Sequence, residues 1–219
     1  MKEERSLRAD AERNRLKIIE AAQALFAERG IDVTMEEVAR AAGVGVATLY
    51  RRYPTRAELV GNAFESKMDQ FATGARKALE DPDPWHGFCT YILSLCAMQS
   101  NDRGFSDALT MTFPSVERFE AARIQAFNDF SALTKKAKAA GALREDFSPE
   151  DLPILLMAHA GVLAATGEAA PRSAPRLIAY LLQAFAAPGA GRLPPPPSTR
   201  QMYRAVARLT NRDDATESA

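Results

Sequence analysis

The strongest chemical signal in the chain is a short run of hydroxyl, aromatic and guanidinium groups: Thr48, Tyr50, Arg51 and Arg52 follow one another within little more than a helical turn. Gly45 and Ala47 beside them are small enough to let a backbone approach a groove, and Val46 offers methyl groups. Hydroxyls at Thr48 and Tyr50 suit phosphates or base edges, while Arg51 and Arg52 can neutralise phosphate or fork onto guanine. Beyond Pro54, Thr55 can cap a further helix with Arg56 in its first turn, a place where amides and a cation together hold a backbone phosphate. Thr34, well ahead of the run, and Tyr53, directly after it, complete the candidate contacts to a double-stranded DNA operator.

The competing chemistry is thin. His86 and Cys89 can share a helical face, and Cys96 and His159 lie further on, but no Cys-x-x-Cys or His-Glu-x-x-His spacing supplies the remaining ligands of a metal site. A glycine-rich phosphate loop and a Gly-x-Ser-x-Gly elbow are likewise missing from the sequence. The reading is therefore a non-enzyme with no metal and no cofactor. On one helix, Cys89 and Cys96 stand about 10 Å apart along the axis, too far for a disulfide.

The elements that must position the polar run are legible around it. Thr34 and Glu37 form a capping box, and Met35, Val38 and Ala39 share one buried face. Gly43 stops that helix, Val44 plugs the corner, and a second helix runs from Val46 to Tyr53, where Pro54 disfavours further helical geometry. Two helices joined by a glycine turn, the second short and polar, make a helix-turn-helix.

With 28 basic and 28 acidic residues the formal charge is zero, so attraction to nucleic acid depends on local supply from Arg13, Arg15, Lys17, Arg51, Arg52 and Arg56. No apolar run is long enough to cross a bilayer and the charged start lacks a signal-peptide core, so a cytoplasmic protein with no membrane partner is expected. Periodicity divides the chain into a mobile arm over 1–10, a helix-turn-helix domain over 11–55, a helical body over 56–187 and a Pro-rich spacer and tail over 188–219. The first helix spans Glu12 to Arg29. A connecting helix runs from Arg56 to Leu79, with Gly61 and Gly74 as weak points. Further helices start near Pro84, Phe105, Pro114, Pro149 and Ala174. The stretch from Leu152 to Thr166 is apolar nearly all round and must be covered on most sides. Residues 201–209 fit either a docked amphipathic helix or a disordered tail.

Gly43-Val44, Thr48-Leu49-Tyr50, Tyr53, Arg56 and Leu59, with the upstream run from Ile18 to Gly30, resemble the TetR family of bacterial transcriptional regulators. The family most often has His, Phe and Lys where Arg52, Tyr53 and Arg56 stand, so the character of these positions is kept and their individual contacts are less transferable. The resemblance implies an all-α fold: a three-helix DNA-binding domain followed by a helical ligand-binding and dimerisation domain. It implies a homodimer on a palindromic operator, acting as a repressor released by a small-molecule effector, with an activator or a non-sensing DNA binder of the same fold as alternatives. Its dimer helices would correspond to the last two, through Leu152, Leu155, Leu156, His159, Leu163, Leu177, Leu181 and Phe185. Its effector cavity would draw on Trp85, Phe88, Tyr91, Met98, Phe105, Met111, Phe113, Arg123, Phe127 and His159.

Overall fold

The computed structural model describes residues 2–188 and 198–201. Among them the chain forms α1 (Lys2–Arg29), α2 (Met35–Ala42), α3 (Val46–Arg52), α4 (Arg56–Glu80), α5 (Pro84–Asn101), α6 (Arg103–Leu109), α7 (Glu117–Ala139), α8 (Asp151–Thr166) and α9 (Ser173–Phe185), with a short 3-10 turn at Gly167–Ala169. The all-α expectation holds. Helix α1 begins at Lys2, not near Glu12; the polar residues read as an arm are mostly Glu, Lys, Arg, Ala and Leu, all strong helix formers. Pro114 and Pro149 sit in the turns before α7 and α8 and do not open those helices. The Pro-rich spacer at Pro194 to Pro197 and most of the 201–209 segment lie outside the described residues. Just past that spacer, Thr199 donates to the Glu150 carboxylate at 2.7 Å, immediately ahead of α8.

Helices α1 to α3 form a head, joined to the body by α4. Helix α4 runs beside α7 in the same direction: Gly61 lies against Val116, Arg118 pairs with Glu65 at 3.5 Å and Asp69 at 3.7 Å, Arg76 with Asp129 at 3.6 Å, and Lys136 reaches the carbonyls of Leu79 and Asp81 at 3.0 and 2.6 Å. Gly61 is no weak point, because a Cβ there would meet the Val116 side chain at 2.7 Å. The missing side chain permits the close approach of the two helices.

Helix α5 turns back toward the head, and α6 docks on α1. A Cβ on Gly104 would lie 2.6 Å from Phe26 Cβ and 2.7 Å from its carbonyl oxygen, so body and head touch backbone to backbone. Asp107 accepts from the Ile31 amide at 3.3 Å, and buried Asp102 caps α6 at the Phe105 amide, 2.9 Å, while pairing with Lys67 of α4. Phe64 of α4 completes the junction between the rings of Phe26 and Phe105, at 6.0 and 5.7 Å.

At the far end, Asp83 caps α5 through the amides of Trp85 and His86, and His86 Nδ1 meets Asp81 at 2.8 Å. The Asp81 hydrogen bond raises the His86 pKa above the usual histidine value. The charged pair's contribution to stability is therefore complete below the ordinary histidine pKa and is lost as pH climbs through the raised one. A proton NMR titration of His86 is expected to show a midpoint that falls in Asp81→Asn; an unchanged midpoint would contradict the pairing.

Candidate nucleic-acid interface

The first helix-turn-helix element is built as its sequence demands. Thr34 accepts from the Glu37 amide at 3.2 Å, and Glu37 accepts in return from the Thr34 amide at 2.9 Å. The same carboxylate takes Arg29 of α1 at 2.8 Å, and these bonds, led by the Thr34 amide, hold its pKa down to about 2. Gly43 ends α2 at φ 65°, and Val44 donates to the Ala39 carbonyl at 3.0 Å, which turns the chain sharply into α3. Thr34 is exposed, but its hydroxyl is engaged in the cap. Its role is to set the angle of α2.

Helix α3 has seven residues, of which only Leu49 is buried. Gly45, Val46, Ala47, Tyr50, Arg51 and Arg52 are exposed, with Tyr50 at 42%; Thr48 is half-buried. A short helix turned outward with hydroxyl, aromatic and guanidinium groups can enter the major groove. Val46, whose methyl groups the sequence offers to a groove, is among these exposed residues at 39%.

Two candidates stand elsewhere. Tyr53 is only 3% exposed and belongs to the head's core; burial raises the pKa of its phenol, against the pull of Arg52 and Arg15. Arg56 keeps 12% of its side chain exposed and reaches the exposed carboxylate of Asp32 at 3.3 Å. Thr55 caps α4 through the Glu58 amide, 3.2 Å, in agreement with the sequence.

Beside α3 the structure adds residues that the motif does not mark. Ala11, Asn14, Arg15 and Ile18 of α1 face Thr48, Arg51 and Arg52 across a cleft of about 250 Å³. In the sequence Arg15 is only part of the general basic supply and Asn14 carries no signal, since nothing local says that this face of α1 meets α3. Their one-turn spacing with buried Ile18 is the signal available in the sequence.

In the body, the residues expected to line a cavity instead pack on one another. Phe88 is stacked on Trp85 at 5.6 Å and on Phe130 at 5.7 Å, and meets Phe147 edge-on at 5.3 Å; Phe113 meets Phe119 at 4.8 Å, and Tyr91 meets Phe71 at 5.9 Å. Phe105 and Met111 are buried, and Met98 and Phe127 half-buried. Arg123 donates to the Met111 carbonyl at 2.9 Å and pairs with Glu120, which locks it in place. His159 is 2% exposed and bonds Gln99 Oε1 at 2.9 Å, while Gln99 Nε2 serves Ser106 and the Leu156 carbonyl, both at 3.3 Å. A carbonyl only accepts, so the Gln99 oxygen faces His159 and the histidine proton sits on Nδ1. Burial lowers the His159 pKa, favouring the neutral ring.

The expected dimer residues also divide. Leu152, Leu155, Leu156 and His159 form the inner stripe of α8 and are buried within the chain, while Leu163, Leu177, Leu181 and Phe185 are half-buried. Ile154, Ala158, Gly161 and Ala165 make the outer stripe of α8, and Ala179, Tyr180 and Gln183 are exposed on α9. Because α8 is apolar on every side, its periodicity offers no means of choosing the outward face.

A capped helix, a left-handed glycine turn and an outward recognition helix on a helical body define a helix-turn-helix DNA-binding protein. Residues 18–63 match the family model of bacterial regulatory proteins of the tetR family, and residues 83–184 match the C-terminal domain of SbtR-like transcriptional regulators. The chain belongs to the TetR family of transcriptional regulators. It is similar to an HTH-type transcriptional regulator of Staphylococcus aureus, 33% identical over 76 residues, a match that covers 34% of this chain and 41% of that protein. Among solved structures it resembles the TetR regulator SCO0520 of Streptomyces coelicolor, 28% identical with a TM-score of 0.51 over 78% of this chain and 98% of that one. It also shares a fold with the regulator FadR of Bacillus subtilis, solved in complex with stearoyl-CoA, at 14% identity and a TM-score of 0.56 over 78% of this chain and 97% of that one.

Proposed function

We propose that the protein is a homodimeric repressor that binds a palindromic operator through α3 and is released by a small-molecule effector held in the body. The observation that carries this reading is the outward display of Ala47, Tyr50, Arg51 and Arg52 on a helix anchored by one buried leucine. One such helix reads few base pairs, and a two-fold copy supplies both specificity and effective concentration. The outer stripe of α8, with Ile154 at 45% exposure, and Tyr180 of α9 at 55% form the face for that copy. Small residues at Ala158, Gly161 and Ala165 allow two α8 helices to approach closely.

The effector belongs in the body, where the Tyr91 hydroxyl is buried with no hydrogen-bond partner among the described residues. An orphaned buried hydroxyl costs about 1–3 kcal/mol, which a ligand's polar atom can recover. Since aromatic rings fill the surrounding space, the ligand must be largely apolar and must part α5 from α7 to enter. The FadR fold neighbour was solved in complex with stearoyl-CoA, a molecule with a long apolar acyl chain. Only a ligand that binds the parted state better shifts the heads. The α6 contact on α1 gives that shift a direct path.

Selection of bound duplexes from a random pool tests the reading, with a palindromic consensus expected from the wild type. Ala158→Glu places charge on the outer stripe of α8 and is expected to give monomers by light scattering, with selection reduced to half-sites or lost. A wild-type monomer that selects single, non-repeated sites would end the dimeric reading.

A further inference from the structure

We propose that the cleft between α1 and α3 is a phosphodiester-binding site, in which Arg15 and Asn14 of α1 join Arg51 and Arg52 of α3 on the DNA backbone beside the groove. The inference rests on α3 entering DNA and adds a contact from outside the helix-turn-helix. The cleft of about 250 Å³ is lined by the apolar Ala11 and Ile18 and by Asn14, Arg15, Thr48, Arg51 and Arg52. Three guanidiniums border it, and among the described residues the carboxylate paired with them is Glu12, which takes Arg15 at 2.7 Å. Forked cations around a concave, partly desolvated surface suit a phosphate monoanion. The hydroxyl of Thr48 and the amide of Asn14 supply further donors.

Position selects the phosphodiester over other anions. When a helix lies in the major groove, the sugar–phosphate strands run along its sides, so a wall on the flank of α3 meets the backbone and not the bases. Arg15 reaches the flank from α1, where Glu12 one turn earlier holds its guanidinium at 2.7 Å. Glu12 has a double effect. It holds the guanidinium in place before DNA arrives, and it opposes the phosphate that comes to share it. The site therefore contributes to affinity without reading sequence, with Glu12 setting its strength.

The test measures affinity of the full chain for its selected duplex as a function of salt. Arg15→Ala is expected to weaken binding to all duplexes equally, keep the preferred sequence, and lower the magnitude of the logarithmic salt slope by about 1. Glu12→Gln, at an exposed position where folding is not at risk, is expected to tighten binding by about two- to fivefold, the scale of an exposed ion pair. If the wild type selects a consensus while both variants follow its salt curve, the cleft proposal falls and the recognition helix stands. If the wild type binds no duplex, both fall. Replacing chloride by inorganic phosphate at constant ionic strength is expected to lower affinity for the duplex, because free phosphate competes for the same guanidiniums, and Arg15→Ala is expected to shrink that loss. A loss of affinity in phosphate that persists in full in Arg15→Ala would place the competition outside the cleft and overturn its role on the DNA backbone.

Discussion

Leu49→Ala is expected to unfold the recognition helix in place and to abolish selective operator binding while the body stays folded. Helix α3 has seven residues, too few to be stable alone, and Leu49 is its one buried side chain. The Tyr53 amide closes the helix on the Leu49 carbonyl at 2.8 Å, so the anchor and the end of the helix are one structure. Truncating a fully buried leucine costs about 2–5 kcal/mol, and here little else resists the loss. The free energy is lost locally, since α1 and α2 keep their own core of Ile18, Phe26, Val38 and Ala39. Amide exchange is the discriminating measurement: protection at residues 49 to 53 should vanish while that of α4, α5 and α7 persists. Wild-type protection across α3 in the variant would show that the helix is held by something other than Leu49.

The contrast between local and distant interactions explains what the sequence disclosed. The cap at Thr34 and Glu37, the stop at Gly43 and the cap at Thr55 are set by residues three or four apart, so residue type and spacing are sufficient. Arg56 reads as a phosphate ligand in the sequence because its partner, Asp32, lies 24 residues away on the other side of the helix-turn-helix. The α1 face of the cleft is hidden for the same reason, as its meaning depends on where α3 comes to rest. In the body the obstacle is chemical. A phenylalanine that lines a void and one that fills it have the same composition and helical spacing, and only the ring-to-ring distances separate them. On α8, apolar residues surround the axis, so neither the inner stripe of Leu152, Leu155, Leu156 and His159 nor the outer one of Ile154, Ala158, Gly161 and Ala165 announces itself.

Phe88→Ala decides between filling and lining, and is expected to carry the largest stability cost in the body. The Phe88 ring is fully buried between Trp85 and Phe130 and takes the edges of Phe147 and Phe185 at 5.3 and 6.4 Å, so it joins α5 to α7, to the turn before α8 and to α9. Removing a phenylalanine so enclosed costs about 3–5 kcal/mol, because its neighbours belong to several helices and cannot all collapse into the gap. Denaturant unfolding should show a lower midpoint with a similar slope, the mark of a changed stability and not a changed compactness. The space left would be apolar and dry, and it should take up a small aromatic molecule that partly restores the midpoint. If Phe88 instead borders a cavity already present in the native body, its truncation merely enlarges that space. A cost below about 1 kcal/mol, with no rescue by the aromatic probe, would then make Phe88 a wall of the effector site and not a filler of the core.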